Sequence, residues 1–166
     1  ADLYNMVNVP QAVWIDEAGR IVRPTETAGA FEGFRAMDRT TGKMPDDAMT
    51  TTVRAKTTYA AAVRDWVERG TASEHAFADH RALAHLRPPT AEIARAHVLF
   101  RLGQDDEAAG HLAEASRLHP DSWNIWRQIA EPNEIGLAAG PDFWARVDAL
   151  GERRYYAPVD MAGMPE

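Results

Sequence analysis

The residues best suited to proton transfer or metal binding are six histidines, at 75, 80, 85, 97, 111 and 119. His75 and Asp79 are four apart, a spacing that would put two ligands on one helix face. The same spacing also serves an ordinary solvated helix, and His80 joins an apolar stripe with Phe77 and Leu83. There is no His-Glu-x-x-His pattern. The chain contains no cysteine, which removes thiolate ligands, a thiol nucleophile and any disulfide. Ser73, Ser116 and Ser122 lie in no Gly-x-Ser-x-Gly elbow. Asp105, Asp106 and Glu107 gather at an expected helix start, where negative charge complements the helix dipole, and their spacing does not fit a calcium loop. No glycine-rich phosphate cradle is present. These patterns assign no catalytic group, no metal and no cofactor. Trp123, Trp126, Phe143 and Trp144 form an aromatic-rich region that reads first as packing. Trp123, Trp126 and Trp144 are also the candidate surface for a partner or a small ligand.

The composition bounds what such residues can serve. The 166 residues are 45% hydrophobic and 26% charged, a globular balance with enough apolar material for a core. The formal net charge is −7 and the sequence pI about 5.4. That argues against a broad basic surface for nucleic acid or for anionic membrane. No apolar run approaches the roughly 18 residues of a membrane span, and no basic-then-apolar leader opens the chain. The start at Ala1-Asp2-Leu3-Tyr4 has no initiator Met, so the chain is expected to be a fragment or processed product of a longer one. A cytoplasmic location is expected, with the periplasm open for a processed fragment.

Two periodicities organise the rest. Residues 9–26 read as a β-hairpin: Gln11-Ala12-Val13-Trp14-Ile15 and Arg20-Ile21-Val22-Arg23 are short β-forming runs. Asp16-Glu17-Ala18-Gly19 between them suits a turn that ends on a left-handed glycine. Pro24 is expected to end the second strand. A lone hairpin is marginal in water, so it must pack on the rest of the chain, on a second copy or on a missing N-terminal part. Residues 28–56, broken by Gly29, Gly33, Gly42 and Pro45, read as a linker or extended arm with one turn at Phe31, Phe34 and Met37. From Thr57 the apolar spacing becomes helical. Six helices are expected: from Thr57 to Gly70, with Tyr59, Val63, Trp66 and Val67; from a Ser73 cap to His85, closed by Pro88-Pro89; from a Thr90 cap to Gly103; from Asp105 to Pro120; from Asp121 or Ser122 towards Pro132, with Trp123, Trp126 and Ile129 inward; and from Gly140-Pro141 to Gly151. The tail from 152 to 166 reads as irregular.

The helices carry an internal echo. Ala76 falls on Ala108, Leu86 on Leu118 and Pro88 on Pro120, each 32 residues on. Gly103 sits at an inter-helix turn, Ala108 and Ala115 are small residues where helices would cross, and Pro120 ends the unit. With a period of about 34 residues, the stretch resembles a tetratricopeptide repeat. The match is fair over 89–122 and weaker over 57–88, and a third unit lapses at Pro132. The resemblance implies a surface for a partner protein, or a structural collar.

The N-terminal run Tyr4 to Asp16, with Val9-Pro10 before the first strand, then Gly19-Arg20-Ile21-Val22, resembles the C-terminal half of a thioredoxin-family domain. The resemblance implies a cis bond at Val9-Pro10 and a substrate-loop role for those two residues. Together with the helices, it resembles bacterial redoxin-like proteins with a helical C-terminal region. The Cys-x-x-Cys half of such a domain is absent from this sequence.

The expected fold is therefore mainly α: tetratricopeptide-like helical hairpins over 57–151, preceded by a β-hairpin from a partial thioredoxin-type fold over 1–27. The expected function is non-catalytic, a protein-interaction or structural region of a thioredoxin-like protein. One alternative is part of a thiol–disulfide oxidoreductase whose cysteines lie upstream; another is a small-ligand binder using the aromatic cluster. Expected partners are another protein or the chain's own missing N-terminal half, with a homodimer through the hairpin as a further option, and neither nucleic acid nor membrane.

Overall fold

The computed structural model describes residues 2–84, 90–105 and 109–165. Leu86, Pro88 and Ala108, which carry part of the repeat register, lie outside these, as do His85, Pro89, Asp106 and Glu107. The chain divides into two compact units: residues 1–9 with 85–152, and residues 10–84 with 153–166. No helix among the described residues is long and apolar enough to cross a membrane.

The second of these units contains the hairpin. Strands β1 (Gln11–Ile15) and β2 (Ile21–Thr27) pair antiparallel, as the two β-forming runs and the turn between them lead one to expect. Asp16 builds the turn: its carboxylate accepts from the backbone N–H groups of Ala18 and Arg20, at 3.0 and 2.8 Å. Those bonds, led by the one from Arg20, hold its pKa below the ordinary carboxylate value. Gly19 takes the left-handed conformation, φ +76°. β2 does not stop at Pro24 as expected. Trp14 pairs with Arg23 and Ala12 with Glu26, so one residue of β1 faces two of β2, and Pro24 sits in this bulge. A bulge needs no ladder N–H from proline.

Helix α1 (Asp46–Arg69) begins eleven residues before the expected Thr57. Residues 46–56, expected as part of an arm, are helical because Ala48 and Ala55 supply a buried or half-buried face that continues into Tyr59 and Ala62. The preceding loop, with a short 3-10 turn over Glu32–Ala36, lies directly on this face. A Cβ at Gly33 would sit 2.7 Å from Thr52 Oγ1, and one at Gly29 2.9 Å from Tyr59 Cβ. The two glycines are close-approach residues rather than linker punctuation. Gly70 ends α1 with φ +56°, as expected.

The expected second helix, Ser73 to His85, is not formed. Ser73 Oγ bonds Asp65 at 2.6 Å and accepts from the His75 N–H, and the chain then runs alongside β2, where Phe77 N–H donates to Val22 O at 2.7 Å. Only a 3-10 turn, His80–Leu83, follows, capped by Asp79. A sheet edge with unpaired carbonyls outcompetes the helical pattern here. His75 and Asp79 therefore share no helix face, and Leu83 is 60% exposed rather than inward.

Trp14, Val22, Tyr59, Ala62 and Met161 form this unit's core. Inside it, Arg23 is 1% exposed and makes a two-pronged ion pair with Glu26, at 2.9 and 2.8 Å. Two more of its donors reach the carbonyls of His75 and Asp160. Tyr59 OH donates to Glu26 and accepts from Trp14 Nε1 at 2.7 Å. Burial first, then the Glu26 charge, pushes the phenol pKa well above its ordinary value, which keeps that proton in place. The tail after Arg153 forms no helix or strand among the described residues, yet Tyr155 and Met161 are buried. Glu32 holds it by accepting from the Tyr155 N–H at 3.0 Å.

Removing one member of a buried ion pair strands the other charge, whereas replacing both with apolar residues does not. Arg23→Ala is expected to cost about 3–5 kcal/mol, and the pair Arg23→Met with Glu26→Leu far less. Urea unfolding of the three chains checks this.

Candidate peptide-binding groove

In the other unit, helices α2 (Ala91–Asp105) and α3 (Ala109–Leu118) pack face to face. Thr90 begins α2 as expected, its hydroxyl accepting from the Ile93 N–H at 3.2 Å. The helix continues two residues past Gly103, so Asp105, expected to precede the next helix, is the last residue of α2. Gly103 is instead a crossing point: a Cβ there would lie 2.7 Å from Leu112 Cγ. Ala96 and Ala115 are fully buried at the same contact and, with Ile125, form a core flanked by Leu99, Phe100 and Leu118. Small residues let the two backbones approach, and larger ones fill the groove beside them.

After Pro120 the chain turns. Ser122 caps helix α4 (Trp123–Trp126) by accepting from the Ile125 N–H. The helix frays through turn bonds to Ala130, so Ile129, expected inward, is 41% exposed. Helix α5 (Pro141–Asp148) starts at Gly140-Pro141 as the sequence requires. The candidate surface residues Trp123, Trp126 and Trp144 join Phe143 in one cluster, with ring centres 5.2–6.4 Å apart along the chain of contacts. Arg146 stacks over Trp123 and Trp126 and donates to the Pro120 carbonyl. Trp123 is only 4% exposed. The rings are thus engaged with one another and with a cation, which accounts for them as packing.

The polar constellation of this unit lies elsewhere. The N-terminal segment runs past α2 and α4, outside any helix or sheet ladder from Asn5 to Val9. Asn124 holds two consecutive carbonyls of it: its Nδ2 donates to Met6 O at 2.8 Å and its backbone N–H to Val7 O at 3.1 Å. Arg127, one turn further along, donates to Asn8 Oδ1 at 3.2 Å. His97 on α2 lies 3.4 Å from Asn5 Oδ1, and Asn5 takes a left-handed φ of +49°. Met6, Val9, His97, Phe100, Ile125 and Arg127 line a cavity of about 220 Å³ beside the segment. Of the two residues given a substrate-loop role by resemblance, Val9 belongs to this groove and is 58% exposed; Pro10 is exposed and starts the other unit.

None of Asn5, Asn8, His97, Asn124 and Arg127 stood out in the sequence as a group. Asn124 and Arg127 read as the polar face of a short helix, and asparagines in an irregular stretch obey no periodicity. Among the described residues, no group of three or more His, Asp or Glu is placed to hold a metal ion.

The tetratricopeptide repeat family matches residues 89–131, the stretch that contains α2, α3 and α4. No curated protein and no solved structure matches the chain. The family match does not reach residues 3–27, on which the thioredoxin resemblance rests.

His119 is buried beside His97, ring centres 5.6 Å apart, and its Nε2 has no hydrogen-bond partner. Burial first, then the His97 ring, pushes its pKa below the ordinary value, against an opposing pull from Asp121. The unfolded chain therefore takes up a proton at this site more readily than the folded one. The associated loss of stability is absent well above pH about 6.5 and grows as pH falls below it. Urea midpoints measured from pH 8 to 5 should fall, and fall less in His119→Gln.

Proposed function

We propose that the 89–131 region is a protein-interaction module of the tetratricopeptide-repeat kind. The family match carries this reading, and the small-residue crossing of Ala96, Gly103 and Ala115 supports it. A stacked helical pair of this sort offers one face to its own core and another to a partner. On α2 the exposed residues include Val98 and Leu102, 48% and 45% exposed, together with Arg95 and Arg101. Selection of the full chain against a displayed library of ten-residue peptides tests the reading. Binders with dissociation constants of micromolar order, typical of modest peptide interfaces, are expected. Their loss on Arg127→Glu or on Val98→Asp would place them on this unit; a selection that enriches nothing above a blank surface would end the reading.

A second reading rests on the hairpin. Pro10, β1, the Asp16 turn and β2 follow one another in the order of the thioredoxin-type segment that the sequence resembles. In that reading the chain is the C-terminal part of a thiol–disulfide oxidoreductase whose Cys-x-x-Cys is encoded upstream. The gene upstream of Ala1 decides: a Trp-Cys-x-x-Cys motif some tens of residues before it supports this reading, and its absence removes it. Insulin reduction by this chain alone is expected to be nil, because it has no thiol.

A further inference from the structure

Residues 5–9 are bound to the repeat unit in the way a separate peptide would be. The carbonyls of Met6 and Val7 and the side chains of Asn5 and Asn8 all meet polar groups of the helices. Asn8 is buried, at 5%, while Val9 at the end of the segment and Leu3 before it are 58% and 74% exposed. The cavity of about 220 Å³ beside Val9 is lined by Phe100, Met6 and Ile125 and is larger than the valine side chain needs. Arg127 meets a neutral amide at Asn8, where a carboxylate would give a charge-assisted bond. The segment therefore places neither an acidic side chain beside Arg127 nor a bulky apolar one in the cavity.

From these features we infer that residues 5–9 are an exchangeable ligand held in cis, and that the groove takes in trans a short non-helical peptide. Such a peptide offers two consecutive carbonyls to Asn124, an acidic residue to Arg127 in place of Asn8, and a bulky apolar residue in place of Val9. The inference rests on the interaction reading above and adds both the ligand class and a regulation: the chain's own segment competes with the partner. A tethered competitor acts at high effective concentration. Apparent affinity for an outside peptide is lowered by the fraction of grooves it leaves open.

The probe is a fluorescent peptide of residues 1–10 carrying Asn8→Asp and Val9→Phe, titrated by anisotropy against three full-length chains: intact, Asn5→Ala with Asn8→Ala, and that double variant with Asn124→Ala added. The double variant, whose own segment is weakened, should bind about ten-fold more tightly than the intact chain, because more of its grooves are open. Adding Asn124→Ala to the double variant, whose own segment no longer competes, should weaken probe binding about ten-fold, because the side-chain bond to the probe's backbone is lost while the residue 124 N–H remains. Equal binding by the intact chain and the double variant, both melting cooperatively, overturns the cis competition and leaves the interaction reading intact. No binding by any of the three overturns the inference, and the interaction reading falls only if library selection also fails. Should the double variant not fold, hydrogen exchange on the intact chain decides instead. Added probe should speed exchange of the Val9 amide, which Asn8 Oδ1 accepts at 2.9 Å, and unchanged exchange overturns the inference.

Discussion

The Arg23–Glu26 pair is the constraint around which residues 10–84 and 153–166 are arranged. A guanidinium taken almost completely out of water must find an acceptor for each donor it exposes, or the fold loses several kcal/mol. Glu26 supplies two acceptors from the same strand, three residues away, and the carbonyls of His75 and Asp160 supply two more. The last two come from segments with no helix or strand of their own. A carbonyl is present at every residue, so this mode of capture asks little of the side chains in those segments. Trp14 and Phe77 then cover the charge from above and beside it, with the guanidinium carbon 5.3 and 4.3 Å from the ring centres. Tyr59 ties the same carboxylate to helix α1.

The device recurs. Glu32, at the loop that lies on α1, accepts from the Tyr155 N–H, while Arg35, which pairs with Glu32, donates to the Arg153 carbonyl. In the repeat unit Asn124 does the equivalent for Met6 and Val7. In each unit the regular elements hold irregular chain by its backbone. Main-chain groups left unpaired on burial are costly, so a segment without its own ladder is ordered wherever another element supplies partners.

This explains which parts were legible in the sequence. Helices with a strong stripe and a stop signal were readable: α1 to Gly70, α2 from Thr90, α5 from Gly140-Pro141. The hairpin was readable too, from alternation and from the Asp16–Gly19 turn. What failed were places where tertiary partners override local pattern. Residues 73–83 have helical spacing, but Ser73, Phe77 and the carbonyl of His75 are claimed by Asp65, β2 and Arg23. Residues 46–56 look like a linker because their polar threonines hide an alanine face. Gly29 and Gly33 look like breakers because nothing in a sequence distinguishes a flexible glycine from one pressed against a helix. The groove was invisible for the same reason as the capture of the tail: a side chain that reads a backbone leaves no motif in the chain it reads.

The two kinds of backbone capture differ in strength, and the difference bears on what each can do. The tail is held by charged groups: Arg23 and Glu32 are both buried, and hydrogen bonds to charged groups contribute about 1.5–3 kcal/mol each. The bonds from Asn124 to Met6 O and Val7 O join uncharged groups, worth about 0.5–1.5 kcal/mol each, and Arg127 meets a neutral oxygen at 3.2 Å. Releasing the tail would also leave the Arg23 and Glu32 charges short of partners inside a core. Releasing residues 5–9 would return neutral amides to water, which can pair with them again. One attachment is built to be permanent. The other uses groups that give up a partner cheaply, beside a cavity that a larger side chain would fill, and a groove with those properties is suited to exchange.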